Sequence, residues 1–282
     1  MTAENKTMLR LRELLQPKHL TSIIDVGASD MEKQISGAAW YKLMVDHQLA
    51  RVTGFDPQAD CLPVATEGRN YLPIAVGSGK PATLYQCAHP AFTGLFEPDE
   101  KILALFADYT KWGKVQSKTA IETHRIDDID EIDNMDFLVM DAQGSELDIL
   151  NGATEKLKST AVIQVEMSFI PLYKNQPMFA DLDAALRHLG FIPHTIAGQV
   201  RQVIAPFHQS KLSVGAKVNQ NISLDMVYIR DFARLDKLEP EVIKHLAMIV
   251  YYSYQSFDLA FRCVDHLHKR GIIQKPKPRA AA

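Results

Sequence analysis

Two acidic residues follow short apolar segments directly, at positions where chemistry is commonly placed. The segment FLVM, residues 137–140, runs straight into Asp141, and a glycine and a glutamate follow within five positions. The segment AVIQV, residues 161–165, leads in the same way into Glu166. A strand that is covered on both faces rarely ends on a charge for stability alone. Asp141 and Glu166 are therefore our candidate catalytic residues.

The pair can act in two ways if the two strands are neighbours. Two facing carboxylates repel each other, which raises one pKa and suits a general base, or they can bind a divalent cation. The sequence leaves both roles open, and we assign no metal ion. His194 is a third candidate base, although a partly buried structural histidine is the commoner situation for such a residue.

Two other segments favour a nucleoside ligand. In IIDVGASD, residues 23–30, Asp25 and Gly27 come at the end of an apolar run, and the glycine allows close backbone approach to a ligand. In GFDP, residues 54–57, Asp56 offers two acceptor oxygens to the hydroxyls of a ribose. The alternatives are a plain strand–turn–helix junction in the first segment and an Asp-Pro turn in the second.

The glycine pattern separates two nucleoside cofactors. Nicotinamide enzymes of this kind usually carry G-x-G-x-x-G after the first strand. This chain has the single Gly27 there, and Asp30 and Glu32 follow it, where they would repel a pyrophosphate. The pattern disfavours an oxidoreductase and favours a nucleoside without phosphates, of which S-adenosylmethionine is the obvious candidate.

Strands alternate with helical patterns from about residue 20 to about residue 196. Apolar residues at three- and four-residue steps predict a helix over Met178–Leu189, with Gly190 at its end. This alternation predicts an α/β fold with a doubly wound, mostly parallel sheet. The first five predicted strands are Ser22–Val26, Arg51–Phe55, Tyr71–Val76, Phe137–Met140 and Ala161–Val165.

The last part of the chain has a different character. Phe191–Ile196 and Leu224–Ile229 read as two further strands, one of them antiparallel at the edge, with a loop over residues 197–220 between them. Glu239–Lys269 is helical in pattern, and its aromatic stretch should pack on the main domain or on a second copy of the chain. The predicted regions are an N-terminal helical segment (1–20), the main domain (21–230), a helical C-terminal extension (231–272) and a disordered tail (273–282).

Several motifs now occur in a recognisable order. MDFLVMDAQGSELDILNGA, residues 135–153, resembles the D-x-x-G-x-E-x-x-x-L-x-G-A signature of the FkbM family of methyltransferases. HRIDDI (124–129), VEMSFIPLYKNQPMF (165–179) and LPIAVGSG (72–79) are similar to other segments of that family. The chain departs from the family at Ser29 and Met31, where Asn and Gly are usual, and at Asp56, where Glu is usual.

The resemblance implies a Rossmann-like class I methyltransferase that uses S-adenosylmethionine. It further implies O-methylation of a hydroxyl on a sugar or a related small metabolite, with Asp141 and Glu166 as catalytic residues. A catalytically silent scaffold with the same fold is the alternative. The residues expected to bind the cofactor are Asp25, Gly27, Ala28, Ser29, Asp56, Ala75 and Asp141.

Composition limits the remaining function classes. The 282 residues carry a formal net charge of −3, which argues against a nucleic-acid surface. No apolar run approaches the roughly 18 residues of a membrane span. The three cysteines are widely separated and have no metal-ligand spacing, so we expect a reducing, cytoplasmic location. A homodimer through the C-terminal helix is a further expectation.

Overall fold

The computed structural model describes residues 11–28, 40–207, 211, 213 and 217–274. Ser29, Met31 and most of the helix expected after the first strand lie outside these residues. Nine strands are found within them: β1 (Thr21–Val26), β2 (Ala50–Phe55), β3 (Arg69–Leu72), β4 (Ala82–Cys87), β5 (Val115–Ile121), β6 (Phe137–Met140), β7 (Val162–Ser168), β8 (Phe191–Gln202) and β9 (Gln220–Arg230).

Seven of these strands form one sheet in the order β3-β2-β1-β6-β7-β9-β8. The pairs among β3, β2, β1, β6 and β7 are parallel, while β9 runs antiparallel to both of its neighbours. The predicted doubly wound, mostly parallel fold is therefore confirmed. The antiparallel strand is β9, one position in from the edge, and β8 forms the edge itself.

The observed strand bounds differ from the predicted ones where the local chemistry was misread. The prediction for β6 has the observed bounds, but β3 ends at Leu72 because Pro73 has no N–H to donate to the ladder. Residues 197–202, expected to begin a loop, instead continue β8, which is 12 residues long. The edge strand of the sheet is therefore longer than expected.

Helices cover both faces of the sheet. Within the described residues they are α1 (Lys42–Asp46), α2 (Glu100–Leu103), α3 (Tyr109–Trp112), α4 (Glu146–Asn151), α5 (Phe179–His188), α6 (Pro240–Tyr254) and α7 (Phe257–Lys269), and residues 11–15 are also helical. The predicted helix at Met178–Leu189 is confirmed as α5, with Gly190 in a left-handed conformation just beyond it. None of the helices described is long and apolar enough to cross a membrane.

The C-terminal helices belong to the main core. Ile243, Leu246 and Ile249 of α6 are fully buried in one cluster that also contains Phe137 of β6 and Val227 of β9. Burial of each such side chain contributes about 1.5–3 kcal/mol. The predicted helical extension thus closes one face of the sheet.

The two ends of the C-terminal region behave differently. Phe257 and Phe261 of α7 remain 53% and 69% exposed, and dimerisation through this surface stays a prediction. Ile273 packs against the core formed by α6 and the sheet, whereas residues 275–282 of the expected disordered tail lie outside the described residues.

An insertion between β3 and β6 was not predicted. β4 and β5 pair antiparallel as a separate ribbon, and α2 and α3 lie in the connection between them. Phe92, Phe106, Tyr109 and Trp112 form an aromatic cluster inside this insertion. The insertion forms a wall beside the carboxyl ends of the central strands.

Candidate active site

A pocket of about 660 Å³, measured to its open mouth, lies at the carboxyl ends of β1, β2 and β6. Strand order reverses between β1 and β6, and ligands of doubly wound sheets bind at this point. The described lining residues include no lysine, arginine or histidine. They are Val26, Gly27, Phe55, Asp56, Pro57, Gln58, Cys61, Ile74, Ala75, Val76, Leu84, Pro90, Thr93, Gly94, Leu95, Asp141, Ala142, Gln143 and Ser145.

Gly27 is required by the protein itself as well as by a ligand. Its φ is +85°, and a Cβ built there would overlap the backbone carbonyl oxygen of Asp141. The Gly27 N–H donates to Phe55 O at 2.9 Å. The glycine therefore lets the ends of β1, β2 and β6 approach one another, and its backbone also lines the pocket.

Asp56 stands at the pocket wall after β2. Its Oδ1 accepts the Gln58 N–H at 2.8 Å, so the expected Asp-Pro turn exists. Burial raises the pKa of Asp56, and the nearby Asp60 adds to the rise. The turn and the ribose reading are compatible, because the carboxylate has a second oxygen with which to bind a ligand.

Of the other residues expected to bind the cofactor, Ala75 lines the pocket, but Asp25 and Ala28 do not. Ala28 is fully buried, and its N–H donates to Phe55 O at 3.1 Å. Asp25 accepts a hydrogen bond from the Tyr41 hydroxyl. Ser29 lies outside the described residues. The binding roles of these residues stay predictions.

Asp141 is held in place by side chains from the turn that follows it. The Gln143 amide Nε2 donates to Asp141 Oδ1 at 2.7 Å, and the Tyr173 hydroxyl donates to Gln143 Oε1, also at 2.7 Å. Gln143 and Gly144 both have positive φ, which gives the tight turn before α4. One oxygen of Asp141 is thereby fixed.

Glu146 has a structural role that the sequence left open. Its Oε1 accepts the backbone N–H groups of Ala142 at 2.9 Å and of Gly144 at 3.2 Å. Glu146 is only 3% exposed. Glu146 therefore folds back over the turn that carries Asp141 and orders it.

Asp141 and Glu166 do converge, and a third carboxylate joins them. β6 and β7 pair in parallel with Met140 beside Val165, so Asp141 and Glu166 follow at the same level. Asp225 of β9 is the direct cross-strand partner of Glu166. Like charges directly opposite each other in a sheet are destabilising, which makes a purely structural role hard to justify. We call Asp141, Glu166 and Asp225 the carboxylate row.

Sequence reasoning missed Asp225. Its only signal was an aspartate inside LDMVYI, which made the alternation of that strand irregular. Its side chain lies over Gly198 of β8, where a Cβ would overlap the Asp225 carboxylate. The antiparallel register of β9, which the sequence does not specify, brings this residue to Glu166.

The pKa values of the carboxylate row are raised. Burial, followed by repulsion from Glu166 and Asp225, raises the pKa of Asp141 well above its ordinary range. Burial, followed by repulsion from Asp225 and Glu146, raises the pKa of Glu166 to about 7, although Ser223 Oγ donates to its Oε1 at 2.7 Å. The Asp141 and Glu166 side chains hydrogen-bond each other, so the two carboxyl groups titrate as a pair.

Oxygen atoms of Asp141, Glu146 and Glu166 also lie within 4.8 Å of one another, a spacing open to a divalent cation. Glu146, however, is already bound to two backbone N–H groups, as described above. The other candidate base, His194, hydrogen-bonds Ser256 Oγ at 3.1 Å at the junction of α6 and α7, and burial lowers its pKa. Because Glu146 and His194 are engaged elsewhere, the Asp141–Glu166 pair, which we call the acid pair, is the favoured candidate for the general base.

Residues 25–193 match the Methyltransferase FkbM domain family, which is more than half of the chain. The chain belongs to the FkbM methyltransferase family. The predicted cofactor agrees with this membership, because the family takes its methyl group from S-adenosylmethionine. The suspected resemblance is therefore confirmed.

The individual proteins that resemble this chain share little sequence with it or match only part of it. A 2-O-methyltransferase, NoeI of Sinorhizobium fredii, is 35% identical over 77 residues, which is 26% of this chain and about a third (32%) of that protein. An FkbM methyltransferase of Methylobacillus flagellatus is 15% identical, with a TM-score of 0.38, over 74% of this chain and 43% of its own. A magnesium protoporphyrin IX methyltransferase of Synechocystis is 10% identical, with a TM-score of 0.35, over 81% and 80%.

Proposed function

We propose that the protein transfers the methyl group of S-adenosylmethionine to a hydroxyl of a sugar or a similar polyhydroxylated acceptor. The observation that carries the proposal is the convergence of Asp141 and Glu166, whose side chains hydrogen-bond each other at the carboxyl edge, where Asp141 lines the pocket. FkbM family membership supports the reaction type.

The pocket residues suit this cofactor. S-adenosylmethionine supplies an electrophilic methyl group on a cationic sulfonium when it is bound. Phe55, Ile74 and Val76 offer apolar surface to an adenine, and Asp56 can accept the two ribose hydroxyls. Asp56 and the Asp141–Glu166 pair together give the pocket a negative potential, which attracts a cation and would repel the phosphates of NAD.

The carboxylate row supplies the proton acceptor. Gln143 and Ser223 each occupy one oxygen of the pair, which leaves Asp141 Oδ2 and Glu166 Oε2 to share a proton or receive one. A carboxylate whose pKa lies near 7 is well matched to removing a hydroxyl proton at neutral pH. Positioning of the two reactants contributes most of the remaining rate enhancement.

The surroundings of the row favour a hydroxylated acceptor. Asp225 and Glu166 present neighbouring carboxylates, and a carboxylate can accept hydrogen bonds from two adjacent hydroxyls. Gln202 hydrogen-bonds Tyr109, whose pKa is raised by burial and also by Glu166. The limited match to a 2-O-methyltransferase supports the same acceptor class.

The activity test uses the full chain and S-adenosylmethionine carrying a labelled methyl group. The protein is incubated with a panel of mono- and oligosaccharides, beside a matching panel of amino acids and peptides. We expect label in a base-stable product from a sugar. Label only in an amine or a carboxylate ester would contradict the O-methyl assignment.

The cofactor assignment is tested separately with Asp56→Ala. Losing a charged acceptor for the ribose costs about 1.5–3 kcal/mol, so S-adenosylhomocysteine should bind about ten- to a hundredfold more weakly. Asp60→Ala, at an exposed neighbour, is the matched control and should keep wild-type affinity. Equal affinity in the two variants would remove the ribose role of Asp56.

A further inference from the structure

A second polar cluster lies at the opposite edge of the sheet from the pocket. It contains His19, which precedes β1, Asp136, which precedes β6, and Glu241 and His245 of α6. We call these four residues the histidine node. Strands β1 and β6 begin here and end at the candidate active site, so the node is separate from the carboxylate row.

The node has a buried nitrogen that the described protein does not satisfy. His245 is 0% exposed, and its Nε2 has no hydrogen-bond partner among the described residues. The nearest carboxylate oxygen, Asp136 Oδ1, is 3.8 Å from it, which is too long for a hydrogen bond. A buried polar atom without a partner costs about 1–3 kcal/mol and requires a physical reason.

The other ring nitrogen of His245 is already fixed. Its Nδ1 lies 3.0 Å from Thr21 Oγ1, and Thr21 is fully buried. This partner orients the ring, and when Nδ1–H donates to the hydroxyl, Nε2 carries the lone pair that a metal ion needs.

Further metal-ligand atoms lie close to His245. A ring nitrogen of His19, a ring nitrogen of His245 and a carboxylate oxygen of Glu241 all lie within 4.8 Å of one another. Glu241 and His245 are four residues apart on α6, which places them on one helix face. His19 Nε2 also lies 2.9 Å from Asp136 Oδ2, the carboxylate–histidine contact that commonly supports a metal ligand.

We propose that His19, Glu241 and His245 bind a zinc-type divalent ion and that Asp136 and Thr21 orient the two histidines. Two imidazoles and one carboxylate are a ligand set that Zn²⁺ accepts, with a fourth position for water. Ligand atoms about 3.3 Å apart are needed for zinc–ligand distances of about 2.0–2.1 Å. The node therefore has to contract slightly, through rotation of the His19 and Glu241 side chains.

Two features bear on access and competition. An open pocket of about 1030 Å³ is lined by His19, Asp136 and Glu241 and gives an ion a path from solvent. Lys244 Nζ lies 2.6 Å from Glu241 Oε1, and the Lys18 N–H donates to Glu241 Oε2 at 2.8 Å. Each carboxylate oxygen keeps a second lone pair for the ion, while Lys244 also has Gln16 O as an acceptor.

The ion would join two distant parts of the chain, and the Asp136 contact with His19 would link a third to them. His19 belongs to the N-terminal segment, Asp136 to the start of β6, and Glu241 and His245 to the first C-terminal helix. The site would thus hold α6 to the amino edge of the sheet. This role is independent of methyl transfer, so the two proposals can fail separately.

The test is zinc retention by the tag-free full chain after incubation with ZnCl₂ and gel filtration, measured by elemental analysis. We expect about one equivalent in the wild type and in His188→Gln, a control at an exposed histidine, and loss of the ion in His245→Gln. Zinc should also raise the melting temperature of the wild type and leave that of His245→Gln unchanged.

Two further variants keep the test decisive if His245→Gln does not fold. Glu241→Gln alters a partly exposed ligand, and Thr21→Val removes only the supporting hydroxyl, which should weaken zinc binding roughly ten- to a hundredfold. Absence of bound zinc in the wild type, or undiminished retention in all three node variants, would overturn the proposal. Unchanged S-adenosylhomocysteine affinity in these variants would keep the result distinct from the function of the pocket.

Discussion

Strand β6 has an aspartate immediately before it and another immediately after it, and their surroundings are opposite in character. Asp136 Oδ2 accepts the Ser22 N–H at 2.8 Å and lies 2.9 Å from His19 Nε2. Asp141 instead faces the carboxylates of Glu166 and Asp225. One aspartate is surrounded by donors, and the other by groups of its own charge.

The comparison separates stabilising acids from functional ones. A buried carboxylate with donors strengthens the fold, whereas buried carboxylates that face one another weaken it. A sequence retains such repulsion where activity requires it, at a cost in stability. On the proposed function, the carboxyl edge of the sheet is the reactive edge, whereas hydrogen bonds at the amino edge join distant parts of the chain.

The largest effect is expected at the reactive edge. Asp141→Asn removes a member of the acid pair, so methyl transfer to the acceptor found in the sugar screen should fall about 10²–10⁴-fold. The free energy of unfolding should stay the same or rise, because a repelled charge is lost. Enzyme assays and urea denaturation measure the two effects.

Asp130→Asn is the matched control, since Asp130 is exposed and does not line the pocket. It should change neither activity nor stability. If Asp141→Asn kept most of the activity, or lost activity only in step with its stability, the acid pair would not be the base.

The reverse pattern is expected at the amino edge. Asp136→Ala leaves the buried Ser22 N–H without its acceptor, which should lower the free energy of unfolding by about 1–3 kcal/mol. Affinity for S-adenosylhomocysteine should not change. Urea denaturation with a chelator present, together with calorimetry, tests this. Weakened cofactor binding at full stability would reverse the assignment of the two edges.

A smaller effect appears in the pH dependence of stability. The folded-state pKa of Glu166 is raised from 4.5 to about 7, so in that interval the folded protein binds more protons than the unfolded chain. Stability of the wild type should therefore decline as pH rises through this window. Glu166→Gln should show a shallower decline, measured by thermal unfolding across the same pH range. Parallel curves for the two proteins would contradict the raised pKa.

The site residues that could be predicted from the sequence are those that directly follow a recognisable strand. Asp141 and Glu166 each directly follow a short, mostly apolar segment, and parallel strands bring such ends to one edge. Asp225 and the β4–β5 ribbon depend on antiparallel registers that join distant segments, and no local pattern specifies them. The end of β3 could have been predicted from Pro73. The prediction that continued the strand to Val76 overlooked the N–H that proline lacks.

The histidine node shows the same limit. Glu241 and His245 have helical spacing, but His19 lies more than two hundred residues earlier and joins them only because α6 packs across the start of β1. The sequence predicted a C-terminal helix and left open what it covers. Tertiary packing, rather than any motif, created that cluster.

The central claim is that the pocket at the reactive edge binds S-adenosylmethionine. Calorimetric titration of the full chain with S-adenosylhomocysteine, with NAD as the control ligand, tests it most directly. We predict binding of S-adenosylhomocysteine at micromolar concentrations and none of NAD. Binding of neither would indicate a silent scaffold, and binding of NAD alone would contradict the account.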